Sequence, residues 1–300
     1  VERFDRILRE HPRSRFVPDA HMARGEYLFS TKNDYVGALG EYDEVLKFKG
    51  TELAGLALFK SAWCLWRLGR NDEAVRRFVS VFEVTDTEGR AASVRKRKDL
   101  DELQSEALKY LVEVFTEDDR NSASDMYRFL QKIGGDRFAV RIVKALATQF
   151  YDTAHYERGI EAYELLLKLD PANAEAATWM IAICEGYATV EDYPRLRSAW
   201  ERALAGYTAG SPWARTQADQ DVVRDATARM EALLRQQALE LHGKAQRDRN
   251  TREFEGAEGL YLAYLTRFSK EPKAYQVMFY AAEIDFYRLE RNTQAATLYM

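Results

Sequence analysis

A helical signature recurs along this chain: a residue that is usually small, an aromatic residue four positions later, and an apolar residue three positions after that. The spacings between successive aromatic residues are 38, 36, 49, 36, 37, 61 and 38. Periods in the mid-thirties are typical of helical repeat proteins, in which each unit buries its apolar face against its neighbours. The spacing therefore predicts an all-α solenoid of antiparallel helix pairs. The aromatic residues that define it are Phe4, Tyr42, Phe78, Tyr127, Tyr163, Trp200, Tyr261 and Tyr299.

The unit from Asp136 to Pro171 shows the pattern most clearly. Its first helix has apolar residues at the i, i+3, i+4, i+7 positions of an amphipathic helix, and a short polar turn follows at residues 152–155. Its second helix is predicted to stop before Pro171, because proline cannot continue a helix. Small residues are expected where the two helices approach each other closely. The residues of this pattern are Val143, Leu146, Ala147, Phe150, Gly159, Tyr163 and Leu166.

This unit resembles the tetratricopeptide repeat, whose pattern is aromatic-x2-Leu-Gly-x2-Tyr, then Ala-x3-Phe, then Pro. Leu146, Ala147, Phe150, Gly159 and Tyr163 stand at the Leu, Gly, Tyr, Ala and Phe positions of that pattern. The resemblance implies a right-handed superhelical solenoid of about seven repeats plus partial ends, with the first helix of each repeat lining a concave groove. A second good match runs through Leu58, Ala62, Leu65, Leu68, Gly69, Ala74, Phe78 and Val81.

A second resemblance concerns the connection at residues 11–20, which reads His-Pro-Arg-Ser-Arg-Phe-Val-Pro-Asp-Ala. It is similar to the inter-repeat segment of bacterial envelope repeat proteins of the outer-membrane assembly lipoprotein and Tol-associated kinds. Residues 267–272 echo it. This resemblance implies a periplasmic or outer-membrane-associated protein, with a cytoplasmic location as the alternative.

The two long spacings suggest a division of the chain. We expect N-terminal repeats at 1–83, a charged linker or insert at 84–101, central repeats at 102–212, and C-terminal repeats at 213–300. The insert contains a basic segment at residues 90–98, which we interpret as a solvated surface because flanking Asp and Glu nearly cancel its charge. The alternative is a site for an anionic partner. Residues 213–250 read as one long amphipathic helix or two in succession, which either covers the neighbouring repeat or presents a partner-binding face.

Composition and motifs argue against several classes of function. The net charge of −4 is far from the basic balance of nucleic-acid binders, so no nucleic-acid partner is expected. None of the four histidines has a second His or Cys at ligand spacing, and no phosphate loop or nucleophile elbow occurs. We therefore predict no catalytic residues, no metal site and no cofactor. No apolar run approaches the roughly 18 residues of a membrane span.

The two cysteines, Cys64 and Cys184, lie at inward-facing positions of different repeats and are expected to be free and buried. The chain begins at Val1 without Met, inside what reads as the second helix of a repeat, and it ends at Met300 inside another helix. We therefore expect it to be part of a longer protein, with exposed apolar surface at both ends.

Aromatic residues are predicted to line the groove. The residue four positions after the small residues Gly25, Ala62 and Ala147 is Phe29, Trp66 and Tyr151, respectively. Two further aromatic residues, Phe59 and Trp63, flank Trp66. Exposed aromatics in a concavity favour the binding of an apolar peptide or helix, because Trp and Tyr dominate interface hot spots. The alternative, which the sequence leaves open, is that these rings are buried against the next repeat.

The sequence thus predicts a non-enzymatic scaffold that binds a peptide or helix of partner proteins, in a bacterial cell-envelope complex. The alternative is a regulatory module of a larger enzyme or signalling protein whose active domain lies outside these 300 residues. An RNA-binding repeat protein is disfavoured by the acidic balance and by the lack of a repeated base-reading pair.

Overall fold

The computed structural model describes residues 2–89 and 93–299, and within these residues it contains helices and no strand. The chain forms two compact units, Val1–Ala145 and Leu146–Met300. The boundary between them falls inside helix α8, Ala139–Asp152. The predicted all-α architecture is confirmed.

In the first unit, each helix from α2 to α5 packs against the next helix along the chain. Connections of a few residues join α2, α3, α4 and α5, so these neighbours run antiparallel and form the stacked pairs of a helical solenoid. A π-helical turn, Leu28–Lys32, follows α2, and a short 3-10 turn, Asp136–Phe138, precedes α8. The helices before α8 are α1 Glu2–Glu10, α2 Val17–Tyr27, α3 Tyr35–Leu46, α4 Ala54–Arg67, α5 Asn71–Gly89, α6 Val94–Thr116 and α7 Ala123–Ile133.

The signature residues of α3 and α5 lie in the core of the first unit, whereas Phe4 and Tyr127 are half-buried. Ala38, Tyr42 and Val45 have no exposed surface, and the same holds for Ala74 and Phe78 of the next pair. A small residue lets the facing helix approach, and the aromatic ring one turn later fills the space beside it. The predicted register of α3 and α5 is therefore confirmed.

In the second unit, α9 packs on α10, α10 on α11, α13 on α14, and α14 on α15, which in turn packs on α16. Helix α11 also contacts α14, which follows it after two intervening helices. The helices after α8 are α9 Tyr156–Leu169, α10 Ala176–Thr189, α11 Tyr193–Tyr207, α12 Pro212–Thr216, α13 Gln220–Asp248, α14 Thr251–Phe268, α15 Ala274–Tyr287 and α16 Asn292–Tyr299.

The register of the second unit also follows the sequence pattern in its buried positions. Trp200 and Tyr261 have no exposed surface, and Ala257 in front of Tyr261 has none either. Tyr299 departs from the pattern, because 47% of its surface is exposed. Cys184 is buried and free, as is Cys64 in the first unit, as expected.

The wide spacing between Trp200 and Tyr261 is accounted for by α12 and by the 29 residues of α13. Helix α13 stops at Asp248 because Arg249 adopts the left-handed conformation and Asn250 caps the next helix through the amide of Arg252. The face that α13 buries recurs every three, four or seven residues and packs along α14. Its buried residues are Val223, Met230, Leu234, Ala238, Leu241 and Ala245.

The charged segment at 84–101 is mostly helical where the structure describes it. Helix α5 continues to Gly89, and α6 begins at Val94 after the cap residue Ser93. Lys96 pairs with Glu52 at 3.0 Å, which agrees with a solvated charged surface. Residues 90–92 of the basic segment lie outside the described residues. The long spacing between Phe78 and Tyr127 therefore arises largely from two long helices.

Candidate functional site

Helix α4 presents one face to the core and another to a cluster of aromatic rings. Its buried face includes Ala57, Ala62 and Leu65, which are at most 3% exposed. The three predicted groove residues Phe59, Trp63 and Trp66 are all half-buried. They follow each other at spacings of four and three residues, which is the repeat of one helix face. The structure therefore brings these three predicted residues together.

The rings of α4 gather around Tyr110, which lies on α6. The centroid of the Tyr110 ring is 4.5 Å from that of Trp63, 6.0 Å from that of Phe59 and 6.2 Å from that of Trp66. Trp63 and Trp66 are themselves 5.0 Å apart. Edge-to-face and tilted contacts at such distances stabilise aromatic pairs beyond the area that they bury. Tyr110 therefore fixes the positions of the α4 rings.

A cavity of about 260 Å³ opens within this cluster and is lined by Phe29, Phe59, Lys60, Trp63, Glu106 and Tyr110. We call it the aromatic pocket. An apolar cavity of roughly 150 Å³ already holds benzene. The aromatic pocket therefore has room for one aromatic or branched aliphatic side chain.

Phe29 reaches the aromatic pocket from the π-helical turn that extends α2. The small residues Gly25 and Ala38 are 13 residues apart, whereas Ala62 and Ala74 of the next pair are 12 apart. A π turn accommodates one residue more than an α turn, and such turns are frequent at functional sites. The turn closes with Asn33 in the left-handed conformation, and Phe29 then contacts Tyr35 edge-to-face at 5.3 Å.

The charges of α2 and α4 beside the aromatic pocket are paired. Lys60 donates to Glu26 at 3.1 Å, and its ammonium lies 5.9 Å from the Phe29 ring centroid. The hydroxyl of Tyr42 also donates to Glu26, at 2.7 Å. Burial raises the pKa of Tyr42, and the hydrogen bond to Glu26 raises it further. Tyr42 therefore stays neutral and acts as a donor beneath the cluster.

Tyr151, the remaining predicted groove residue, lies in the second unit. Its hydroxyl donates to the carbonyl of Ala182 at 2.6 Å, and its ring lies against Gly159 and Gly186. A Cβ at Gly159 would come within 2.2 Å of the ring, and one at Gly186 within 2.3 Å of the hydroxyl. Burial raises the pKa of Tyr151. These contacts hold the half-buried ring between helices, and its role in partner binding remains a prediction.

Tyr110 was not among the groove residues predicted from the sequence. The 49-residue spacing between Phe78 and Tyr127 hid the register of α6, so no groove residue was assigned there. Counting back 12 residues from the small residue Ala123 gives Leu111, which is fully buried. That count, calibrated on Ala62 and Ala74, identifies α6 as a first helix of a pair. Four residues after Leu111 lies Phe115, so the counting rule points to that ring and does not reach Tyr110.

A second cavity, of about 450 Å³, lies in the second unit between the first half of α13 and the end of α14. Val223, Thr227 and Phe268 supply its apolar wall, and Glu231 and Glu271 lie at its edge. Two hydrogen bonds tie Glu231 to its surroundings, one from Arg235 at 2.9 Å and one from Tyr264 at 2.8 Å. The cavity lies on the long helix for which the sequence left two alternatives open, covering the neighbouring repeat or presenting a partner-binding face; the second stays a prediction.

Across residues 2–89 and 93–299, no three His, Cys, Asp or Glu side chains are grouped so that they could hold a metal ion. His242 is in contact with Tyr261 and Phe254, and burial lowers its pKa, so its ring is neutral near pH 7.

None of the helices in the described part of the chain is both long and apolar enough to cross a membrane.

No protein-family model matches this chain, and no curated protein matches it. Two solved structures that it resembles are tetratricopeptide-repeat proteins. One is the TPR2AB domain of yeast Sti1 in complex with pHSP90, at 12% identity and a TM-score of 0.25, covering 93% of this chain and 98% of that one. The other is from Parabacteroides merdae, at 14% identity and a TM-score of 0.24, covering 94% and 90%. The helical-repeat fold of this chain rests on the helix pairing and register described above.

Proposed function

We propose that this protein is an interaction scaffold whose first unit binds a segment of a partner protein. The observation that supports this most strongly is the aromatic pocket, where rings from the π turn, α4 and α6 surround an open cavity. Aromatic side chains supply large contact area at interfaces and are enriched among hot spots. An apolar side chain of the partner would fill the cavity.

The pocket is formed before the partner arrives, which lowers the cost of binding. Ring–ring contacts hold Trp63 and Tyr110 in place, and the Trp66 indole donates to Glu117 at 2.7 Å. Immobilising a free side chain on binding costs about 0.5–1.5 kcal/mol, and these rings have largely lost that freedom already. The partner segment would lie across the helices as in other helix-in-groove complexes.

A peptide selection on the 300-residue chain tests the proposal. Twelve-residue random peptides displayed on phage are selected, synthesised and titrated by fluorescence anisotropy against the native protein and the double variant Trp63→Ala, Tyr110→Ala. Truncating one hot-spot aromatic commonly costs about 2 kcal/mol or more, so the double variant should bind at least about thirtyfold more weakly.

The matched control is Tyr275→Ala, which removes an aromatic ring that is 76% exposed in the second unit. It should bind the selected peptides as the native protein does. Thermal melts of all three proteins separate lost binding from lost folding. Peptides that bind the double variant as tightly as the native chain would overturn the proposal, and the cavity on α13 would become the stronger site.

The same proposal includes a place in a bacterial cell envelope, supported by the sequence of residues 11–20. An antibody against the native protein, applied to periplasmic, membrane and cytoplasmic fractions of the source cells, tests this part. Recovery in the cytoplasmic fraction alone would contradict it and would leave the aromatic pocket unaffected.

A further inference from the structure

We propose that the partner segment carries a basic residue next to its apolar anchor, and that Glu106 selects it. This inference rests on the proposed function, because it concerns the same pocket. Glu106 lines the cavity beside Tyr110, and its side chain is exposed. A partner whose anchor enters the aromatic pocket must therefore pass close to this carboxylate.

Glu106 belongs to a row of three carboxylates, two of them on α6 and the third at Glu117, the C-cap residue of that helix. Glu106, Tyr110, Glu113 and Glu117 follow one another at spacings of four, three and four residues, so they share one helix face. At 1.5 Å of rise per residue, the row extends roughly 16 Å from the pocket along α6. A peptide segment of comparable length would meet all three carboxylates.

These carboxylates lack cationic partners among the described residues. Glu117 accepts from Trp66 at 2.7 Å and from Asn71 at 3.0 Å, and both donors are neutral. No ion pair engages Glu106 or Glu113 within the described ranges. A cation on the partner would supply the positive charge that these carboxylates do not find within the protein.

The nearby cations do not cancel the row. Lys60 is already paired with Glu26. Arg67 lies over the Trp63 ring at 5.7 Å and Lys109 over the Tyr110 ring at 5.3 Å. Against these two ring-bound cations stand the three carboxylates of Glu106, Glu113 and Glu117. The net charge of −4 for the whole chain has the same sign, so a basic partner is attracted at long range as well.

The effect of the charges should be moderate and salt-dependent. Exposed ion pairs contribute little one by one, and salt screens them over about 10 Å at 0.1 M ionic strength. Three carboxylates together should favour a basic over an acidic partner by about tenfold at low salt. At 0.5 M salt the preference should fall below about threefold.

Three synthetic peptides provide the probe. Each is a fluorescein-labelled 14-mer with the same central Leu-Phe-Leu anchor, flanked on both sides by Lys, by Gln or by Glu. Titrations against the full 300-residue chain at 50 mM and 500 mM NaCl compare the three. We expect the Lys probe to bind most tightly and the Glu probe least tightly, with the difference shrinking at high salt.

Variants assign the preference to α6. Glu106→Lys combined with Glu113→Lys should weaken the Lys probe by about tenfold and strengthen the Glu probe. Both positions are exposed on the helix, so folding should be retained, which a thermal melt verifies. The control Glu157→Lys changes the net charge at an exposed position of α9, and it should leave the order of the probes unchanged.

The outcomes separate this inference from the proposed function. Equal binding of the three probes, lost in Trp63→Ala, would overturn the charge preference and retain the aromatic pocket. Tighter binding of the Glu probe, or no response to the α6 variants, would also overturn the inference. Failure of all probes and of every selected peptide to bind would overturn both proposals.

Discussion

Close helix packing in the second unit requires that Gly186 has no Cβ. A Cβ there would come within 2.3 Å of the Tyr151 hydroxyl and 2.8 Å of Ile160. The Tyr151 hydroxyl cannot retreat without losing its 2.6 Å hydrogen bond to the Ala182 carbonyl. The close packing of α8, α9 and α10 around this ring therefore depends on the glycine.

We predict that Gly186→Ala lowers the free energy of unfolding by about 1–3 kcal/mol through overpacking, despite the better helix propensity of alanine. The matched control is Gly206→Ala, because Gly206 lies in α11 with nothing within 4 Å of its would-be Cβ. That variant should gain about 0.5–1 kcal/mol. Urea denaturation of both variants measures the contrast, and equal effects would contradict the packing account.

At the scale of elements, the π turn after α2 sets the position of one wall of the aromatic pocket. It lengthens the interval from Gly25 to Ala38 by one residue and brings Phe29 against Tyr35. Without the extra residue, the start of α3 would rotate by about 100° relative to α2, since each helical residue turns the chain by that angle. Phe29 would then lose the ring that supports it.

We therefore predict that deleting Ser30 weakens binding of the Lys probe at least about fivefold while the helix content measured by circular dichroism stays nearly unchanged. Ser30 is exposed, so Ser30→Ala should bind as the native protein does. If the deletion variant kept full affinity, the π turn would be a tolerated irregularity without a role in the pocket.

The elements differ in how far the sequence predicted them. The register of α3, with Ala38 and Tyr42, followed from a local packing rule and is confirmed. The π turn escaped notice because one inserted residue leaves the aromatic spacing within its ordinary scatter. Tyr110 was not predicted because α5 and α6 are long. The interval between Phe78 and Tyr127 therefore exceeds the repeat period, and positions on α6 could not be assigned by counting from the neighbouring repeats.

The residues of the candidate partner-binding site were also only partly predictable from the sequence. Phe59, Trp63 and Trp66 could be assigned from one helix face, and the structure gathers them. Tyr151 occupies the equivalent position four residues after Ala147, but its surroundings include two glycines from other helices. Equivalent positions in a repeat share a backbone, whereas the neighbours that decide exposure come from distant parts of the sequence.

At the scale of the whole molecule, stability should vary along the chain because each helix relies on its neighbours. In solenoids the stability is approximately a sum of unit and nearest-neighbour terms, so weakly packed helices open first. Helix α1 has no buried residue and α16 buries only Ala295. Helix α4, by contrast, buries much of its length, including Ala57, Ala62 and Cys64.

We predict that hydrogen exchange of the native protein is graded accordingly. The amides of α1 and α16 should exchange within seconds to minutes, whereas those of α4 and α10 should be protected at least about a thousandfold longer. Exchange followed by mass spectrometry of peptic peptides resolves these helices. Helix α10 is the strongest test in the second unit, because Trp179, Met180 and Ile181 are each 1% exposed. Uniform protection from α1 to α16 would show a single cooperative unit and contradict the nearest-neighbour account of this fold.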